Sequence, residues 1–125
     1  MQPVKHSPEL EMFTTRRVAV VEGERGAAEM LHMFFHLMEL ECCLVRPDCD
    51  AVVTLRRLQP DVLILDLDLP DLRALDIARA LRRIPIIFLT DREPHLAPVD
   101  APVMRKPRDR FEELLRLFEL VLAIV

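Results

Sequence analysis

Short apolar runs alternate along the chain with longer stretches of helical period. Residues 18–21 form an apolar run of strand length, followed by Glu22, Gly23 and Glu24. From about 25 to 41 the polar residues Arg25, Glu29, His32, His36 and Glu39 recur among Met, Leu and Phe, which predicts an amphipathic helix. Residues 42–46 read as a second strand stopped by Pro47 and Asp48, and Asp50 is placed to cap a short helix to about 59. Residues 62–65, wholly apolar, predict a central third strand. Pro70 and Asp71 then open a helix to about 83 with Leu72, Leu75, Ile77, Ala78 and Leu81 as its buried stripe. Residues 86–89 and 101–105 supply the fourth and fifth strands, and 111–125 a final helix. Residues 1–15 show no sustained period and read as an N-terminal tail before a domain spanning 16–125.

Continuous apolar strands separated by helices predict a parallel sheet covered on both faces, so the fold class is α/β, doubly wound, with five strands. One link departs from the alternation. The segment 90–102, TDREPHLAPVDAP, carries prolines at 94, 98 and 102. A crossover with its helix needs at least ~10–12 residues, and an interior proline costs a helix ~3 kcal/mol. An irregular, Pro-rich crossover with at most one helical turn is expected where the fourth helix would stand.

At 125 residues the chain allows one domain. Lys+Arg of 17 against Asp+Glu of 21 gives a net charge of -4, which argues against a nucleic-acid footprint. No apolar run approaches the ~18 residues of a membrane span, and neither a secretory signal nor a disulfide framework is legible with three Cys, two of them adjacent. The expectation is a reduced, soluble, cytoplasmic protein. Lys5 and Lys106 are the only lysines, Thr and Ser are few, and Tyr and Asn are absent. A Lys or Thr at a strand end therefore draws attention.

In open α/β sheets chemistry gathers beyond the carboxyl ends of the strands. Those ends carry Glu22 and Glu24 after the first strand, Asp66 and Asp68 after the third, Thr90 after the fourth and Lys106 after the fifth. Carboxylate oxygens suit a hard ion such as Mg²⁺, Lys and Thr can hold phosphoryl oxygens, and an Asp is a competent phosphoryl acceptor. The inventory fits acyl-phosphate chemistry at Asp66.

In this order, VAVVEGE, PDVLILDLDLPD, IPIIFLT and VMRKP resemble the receiver domain of bacterial response regulators over some seven-eighths of the chain. The resemblance implies the flavodoxin-like receiver fold, with Asp66 as phosphoacceptor, Lys106 and Thr90 contacting the phosphoryl group, and a cis bond before Pro107. It implies Mg²⁺ held by Glu22, Asp66 and the backbone carbonyl of Asp68, with Glu24 as a further candidate. The partners implied are a histidine kinase or phosphotransfer protein upstream and a protein target downstream. Four departures stand out. Gly23 replaces the family's second acid, so the metal site is expected to be weakened. Val103 stands where many receivers carry a switch aromatic. Asp91 follows Thr90 and adds negative charge near the phosphoryl site. The Pro-rich crossover is similar to the FATGUY single-domain subfamily, although Phe88-Leu89-Thr90-Asp91-Arg92 lacks that motif's glycine and aromatic.

The chain ends within its last helix, so a stand-alone receiver is expected. A pseudo-receiver working as a phosphorylation-independent interaction or dimerisation module is the alternative. A haloacid-dehalogenase-type phosphatase shares the Asp-x-Asp pattern but needs acids after the lysine, where this chain has an apolar helix. His32 and His36 read as a solvated face, and the cysteines as small core hydrophobes. The apolar arc of the first helix spans roughly 220°, wider than one sheet face requires. That surplus predicts a homodimer or docking face made of Met30, Phe34, Phe35, Met38, Leu117 and Val121.

Overall fold

The computed structural model describes residues 16–97, 99–108 and 110–125. The expected tail 1–15, Pro98 and the side chain of Leu72 lie outside the described residues. The strands are β1 (Arg17–Val21), β2 (Glu41–Leu44), β3 (Val62–Asp66), β4 (Ile86–Thr90) and β5 (Val103–Arg105). The helices are α1 (Arg25–Leu37), α2 (Ala51–Leu58), α3 (Arg73–Ala80) and α4 (Phe111–Ile124). All strand pairs are parallel, in the order β2-β1-β3-β4-β5. The doubly wound five-stranded α/β sheet expected from the pattern is the one observed. The chain leaves β1 toward one edge and β3 toward the other, so the crevice between their carboxyl ends is a topological switch point.

Strand side chains alternate between two cores. Val18, Val20, Ile64, Ile87 and Leu89 face α1 and α4. Ala19, Val21, Leu63, Leu65 and Phe88 face α2 and α3. Every residue of β3 is buried, as its unbroken apolar run requires of a central strand.

Boundaries shift where a residue takes the left-handed conformation. α1 stops short because Glu39, at φ 64°, ends it, with Leu40 N–H donating back to Phe35 O at 2.9 Å. Asp71, at φ 59°, confines Pro70–Leu72 to a 3-10 turn, so α3 starts at Arg73. α3 also ends earlier than expected, at Ala80, where three-residue bonds take over, Leu81 N–H donating to Ala78 O at 3.2 Å and Ile84 N–H to Leu81 O at 3.1 Å. Asp50 occupies the cap position of α2 but makes no capping bond; instead Asp50 N–H donates to Asp48 Oδ1 at 2.9 Å. Between β4 and β5 the described chain makes one 3-10 turn, Pro94–Leu96. The peptide bond before Pro107 is trans, contrary to the expectation.

The expected interface is also corrected. Phe35, Leu117 and Val121 are 0% exposed and Phe34 7%, while Met30 and Met38 are half-buried against the same core. The wide apolar arc of α1 is used internally: its flank meets α4, with the Phe34 ring edge-on to Phe111 and Phe118 at 6.5 and 6.2 Å. Met33, Leu37, Phe111 and Leu122 are the large apolar residues these helices expose. Leu117→Ala should therefore cost about 2–5 kcal/mol in urea unfolding as a core cavity, whereas Met33→Ala should stay within about 0.5 kcal/mol. Equal, small losses at both positions would restore Leu117 to the surface.

Candidate functional site

Strand register builds the site. Val21 pairs with Leu65, which sets Glu22 beside Asp66; Asp66 pairs with Leu89, one residue before Thr90; and Thr90 pairs with Arg105, one before Lys106. The four residues thus share one row at the carboxyl edge. They are also the buried polar or charged residues among those described: Glu22 7%, Asp66 4%, Thr90 2% and Lys106 3% exposed. Buried charges must be paired and hydrogen-bonded, and these are. Lys106 Nζ lies 3.1 Å from Asp66 Oδ1 and 3.3 Å from Glu22 Oε1. Asp66 Oδ2 accepts from Gly23 N–H at 3.0 Å and Oδ1 from Asp68 N–H at 2.9 Å. Glu22 Oε2 accepts from Glu24 N–H at 2.9 Å.

The electrostatics separate the two carboxyls. Burial raises Glu22 most, its hydrogen bond to Asp66 adds to this, and its pKa is pushed up to about 7. Burial also pushes Asp66 upward, but the bond from Glu22, the two N–H groups and Lys106 outweigh it and hold Asp66 below the ordinary carboxylate value. Burial lowers Lys106, and Asp66 with Glu22 more than reverses that, so its pKa is raised. Asp66 is therefore ionised and faces an ammonium, while Glu22 titrates near neutrality.

A pH signature follows. Glu22, raised in the folded state, contributes stability that is full below about pH 4.5 and lost as pH climbs through about 7. The Asp66 contribution lies at lower pH: it is present above the ordinary aspartate value and lost as pH falls through its lowered one. Wild-type stability should thus decline between pH 5 and 8, by up to ~3 kcal/mol, and Glu22→Gln should flatten that decline in urea titrations. An unchanged slope in the variant would place the titration elsewhere.

The remaining expected residues are placed as follows. Thr90 Oγ1 donates to Asp68 Oδ1 at 2.7 Å and accepts from Arg92 N–H at 3.0 Å, so its hydroxyl faces Asp68 rather than Asp66. Asp91 N–H donates to Asp68 Oδ2 at 2.7 Å. Glu24 is half-exposed and held low by hydrogen bonds from Arg108. His32 and His36 are exposed, as a solvated face would be. Cys42 packs against the core, its thiol pushed up to about 12 by burial, whereas Cys49 is exposed rather than packed.

Of the Mg²⁺ set expected from Glu22, Asp66, the backbone carbonyl of Asp68 and, as a further candidate, Glu24, the side-chain carboxylates are engaged elsewhere. Among the described residues no group of three or more His, Cys, Asp or Glu side chains is placed to hold a metal ion. Gly23 offers only an N–H, Glu22 and Asp66 are turned onto Lys106, and Glu24 onto Arg108; the Asp68 side chain, as distinct from its carbonyl, is taken by Thr90 and Asp91. Arg108 is the residue that sequence reasoning passed over. Its signal was indirect: Glu24 and Asp91 are surplus acids beside an acidic pocket and need a cation.

No family model matches the chain. It is 32% identical over 114 residues to the probable transcriptional regulatory protein TcrX of Mycobacterium tuberculosis, covering 83% of this chain and 49% of TcrX. It is 32% identical over 78 residues to the DNA-binding response regulator MtrA of the same organism, covering 60% of this chain and 34% of MtrA. The chain thus spans between a third and a half of the length of these relatives. Among solved structures, the chemotaxis response regulator CheY4 of Vibrio cholerae superimposes with a TM-score of 0.72 at 20% identity, over 86% of this chain and 99% of that one.

Proposed function

We propose that this chain, which has the CheY-like receiver fold, is a response-regulator receiver of a two-component system whose phosphoacceptor is Asp66. The observation that carries the reading is Lys106 Nζ at 3.1 Å from Asp66 Oδ1, both buried, in a row with Thr90. Similarity in sequence to TcrX and MtrA supports it. The DNA-binding and transcriptional roles in those names belong to proteins of two to three times the matched length.

In the proposed reaction an Asp66 carboxylate oxygen attacks the phosphorus of a phosphohistidine on a kinase or phosphotransfer protein. The P–N bond breaks, the imidazole leaves and takes up a proton, and a mixed anhydride remains on Asp66. Lys106 keeps Asp66 ionised beforehand and stays beside the phosphoryl oxygens afterwards. Thr90, freed from Asp68 by rotation of its side chain, donates to a phosphoryl oxygen and so passes the change to the β4–β5 edge. Signalling then runs through altered protein contacts in the cytoplasm. Receiver domains generally bind Mg²⁺ at the phosphorylation site; we read that site as weakened here, and no step above is routed through the ion. The Pro94–Leu96 turn stands, on this reading, in place of the fourth helix, as in the FATGUY subfamily.

Incubation with acetyl phosphate at millimolar Mg²⁺, read by intact mass, tests the proposal. Modification of wild type and none of Asp66→Asn is the expected result. A second reading, a pseudo-receiver working by contacts alone, is favoured by Gly23 and by the uncollected metal donors. An unmodified wild type would leave that reading standing.

A further inference from the structure

We infer that the arginine-lined cleft where α2 and α3 end docks an acidic, apolar-bearing segment of a partner protein. The cleft lies at the opposite end of the strands from Asp66, and the inference does not use the receiver reading. In a parallel sheet the crossover helices run back along the strands, so α2 and α3 both finish at its amino edge, at Leu58 and Ala80. Arg56 Nη2 donates to Ala80 O at 3.2 Å and joins the two helix ends. Beside this bond lies a cavity of about 520 Å³ lined by Arg56, Arg79, Arg82 and Arg83, with buried Leu81 and half-buried Ile84. A second cavity, about 760 Å³, continues it toward β4 and residues 99–101 and shares Arg79, Leu81, Arg82 and Ile84 with the first.

Helix C-termini attract arginines, because cations offset the partial negative charge of the last carbonyls. That accounts for Arg56 and Arg79, which stand in the last turns of α2 and α3. It does not account for Arg82 and Arg83, which lie beyond α3. Both are exposed, and among the described residues neither side chain makes a hydrogen bond or an ion pair. Arg79 holds Asp76 at 3.6 Å, with both side chains 73% exposed, a weak pair that an incoming carboxylate can replace. Among the described residues Asp100 is the one acid lining either cavity. In a chain of net charge -4 the cleft is thus a local excess of positive charge. Its lining carries two chemistries, and the occupant must answer both. Guanidiniums select carboxylates or phosphates by two-pronged bonds. Leu81 and Ile84, continued by Ile86 and Phe88, offer apolar surface that a phosphate backbone does not use. A peptide with Glu or Asp beside Leu or Phe satisfies both. Four arginines around one cleft do not make the broad basic face that a nucleic acid requires.

A fluorescein-labelled peptide of Glu-Glu-Leu repeats, titrated with the full chain and read by fluorescence anisotropy, tests the inference. Wild type should bind it at low salt and release it toward ~1 M salt, where charges are screened beyond about 3 Å. Arg82→Glu combined with Arg83→Glu should weaken binding about tenfold or more, since two ion pairs become two repulsions. Arg25→Glu, a reversal at an equally exposed arginine on α1 at the other edge of the sheet, should leave binding unchanged. If the double variant fails to fold, Arg83→Gln supplies the comparison, with a smaller loss expected. A peptide of the same charge with Ser in place of Leu should bind more weakly, because it leaves the apolar lining uncovered. No binding to wild type at low salt, or equal binding by wild type and the folded Arg82 and Arg83 variants, would overturn the inference. So would equal binding of the Ser peptide, or tighter binding of a labelled DNA duplex, either of which would assign the cleft to a different ligand.

Discussion

Lys106→Met should lose about 3–5 kcal/mol of stability at pH 8, the cost of stripping a buried charge cluster of its only interior cation. The ammonium is 3% exposed and faces Asp66 at 3.1 Å and Glu22 at 3.3 Å. Without it, two buried carboxyls keep only each other and backbone N–H donors from Gly23, Glu24 and Asp68. A methionine fills the volume, so the loss reports charge rather than a cavity. The change of the loss with pH is the discriminating part. Both carboxyls would titrate higher in the folded variant than in its unfolded chain, so protonation favours the fold. The loss relative to wild type would shrink on going from pH 8 to pH 5, whereas a simple packing defect would cost the same at both. Adding Glu22→Gln to Lys106→Met should rescue part of the loss at pH 8 by removing one of the two charges. Wild-type stability of the single variant at pH 8 would mean that the lysine does not hold the pair. Labelling of Asp66 should vanish in the same protein, because a partly protonated acceptor loses its nucleophile and the phosphoryl oxygens lose their counter-charge.

The chain's own pattern made the row at the strand ends readable. β3 is an unbroken apolar run closed by an acid, and such a run is buried on both faces wherever it packs, so its last residue had to sit at the carboxyl edge. Glu22, Thr90 and Lys106 follow by the same logic, each ending or following an apolar strand. What the pattern could not show is which neighbour takes up a surplus. A wide apolar arc on α1 looks alike whether α4 or a second molecule covers it, and only the Phe34 contacts with Phe111 and Phe118 decide for α4. Arg108 was unreadable for a related reason. It meets Glu24 from 84 residues away through a left-handed turn that no glycine or asparagine announces. The uncollected metal donors belong to the same class, since Glu22 and Glu24 carry suitable oxygens but spend them on Lys106 and Arg108.

Gly23→Asp should tighten Mg²⁺ binding by ~1–3 kcal/mol, the worth of one charge-assisted contact. Gly23 does not use a positive φ, so its backbone admits a side chain. The space is narrow: a Cβ there would stand 3.2 Å from Asp66 Oδ2 and 3.2 Å from Leu69 Cδ2, and both neighbours must yield by a few tenths of an ångström. That closeness is what makes the substitution informative. A new carboxylate packed against Asp66 is repelled until a cation lies between them, so the variant should be less stable than wild type without Mg²⁺. Added Mg²⁺ should then raise its melting temperature with concentration, as an ion that binds only the folded chain must, while wild type responds weakly. Combining Gly23→Asp with Arg108→Ala should give the strongest response, since one change supplies an interior ligand and the other releases Glu24 and Asp91 from their ion pairs. A melting temperature of Gly23→Asp indifferent to millimolar Mg²⁺ would show that the missing acid is not what separates this pocket from a metal site, and would turn attention to how Lys106 and Arg108 have already claimed the oxygens of Glu22 and Glu24.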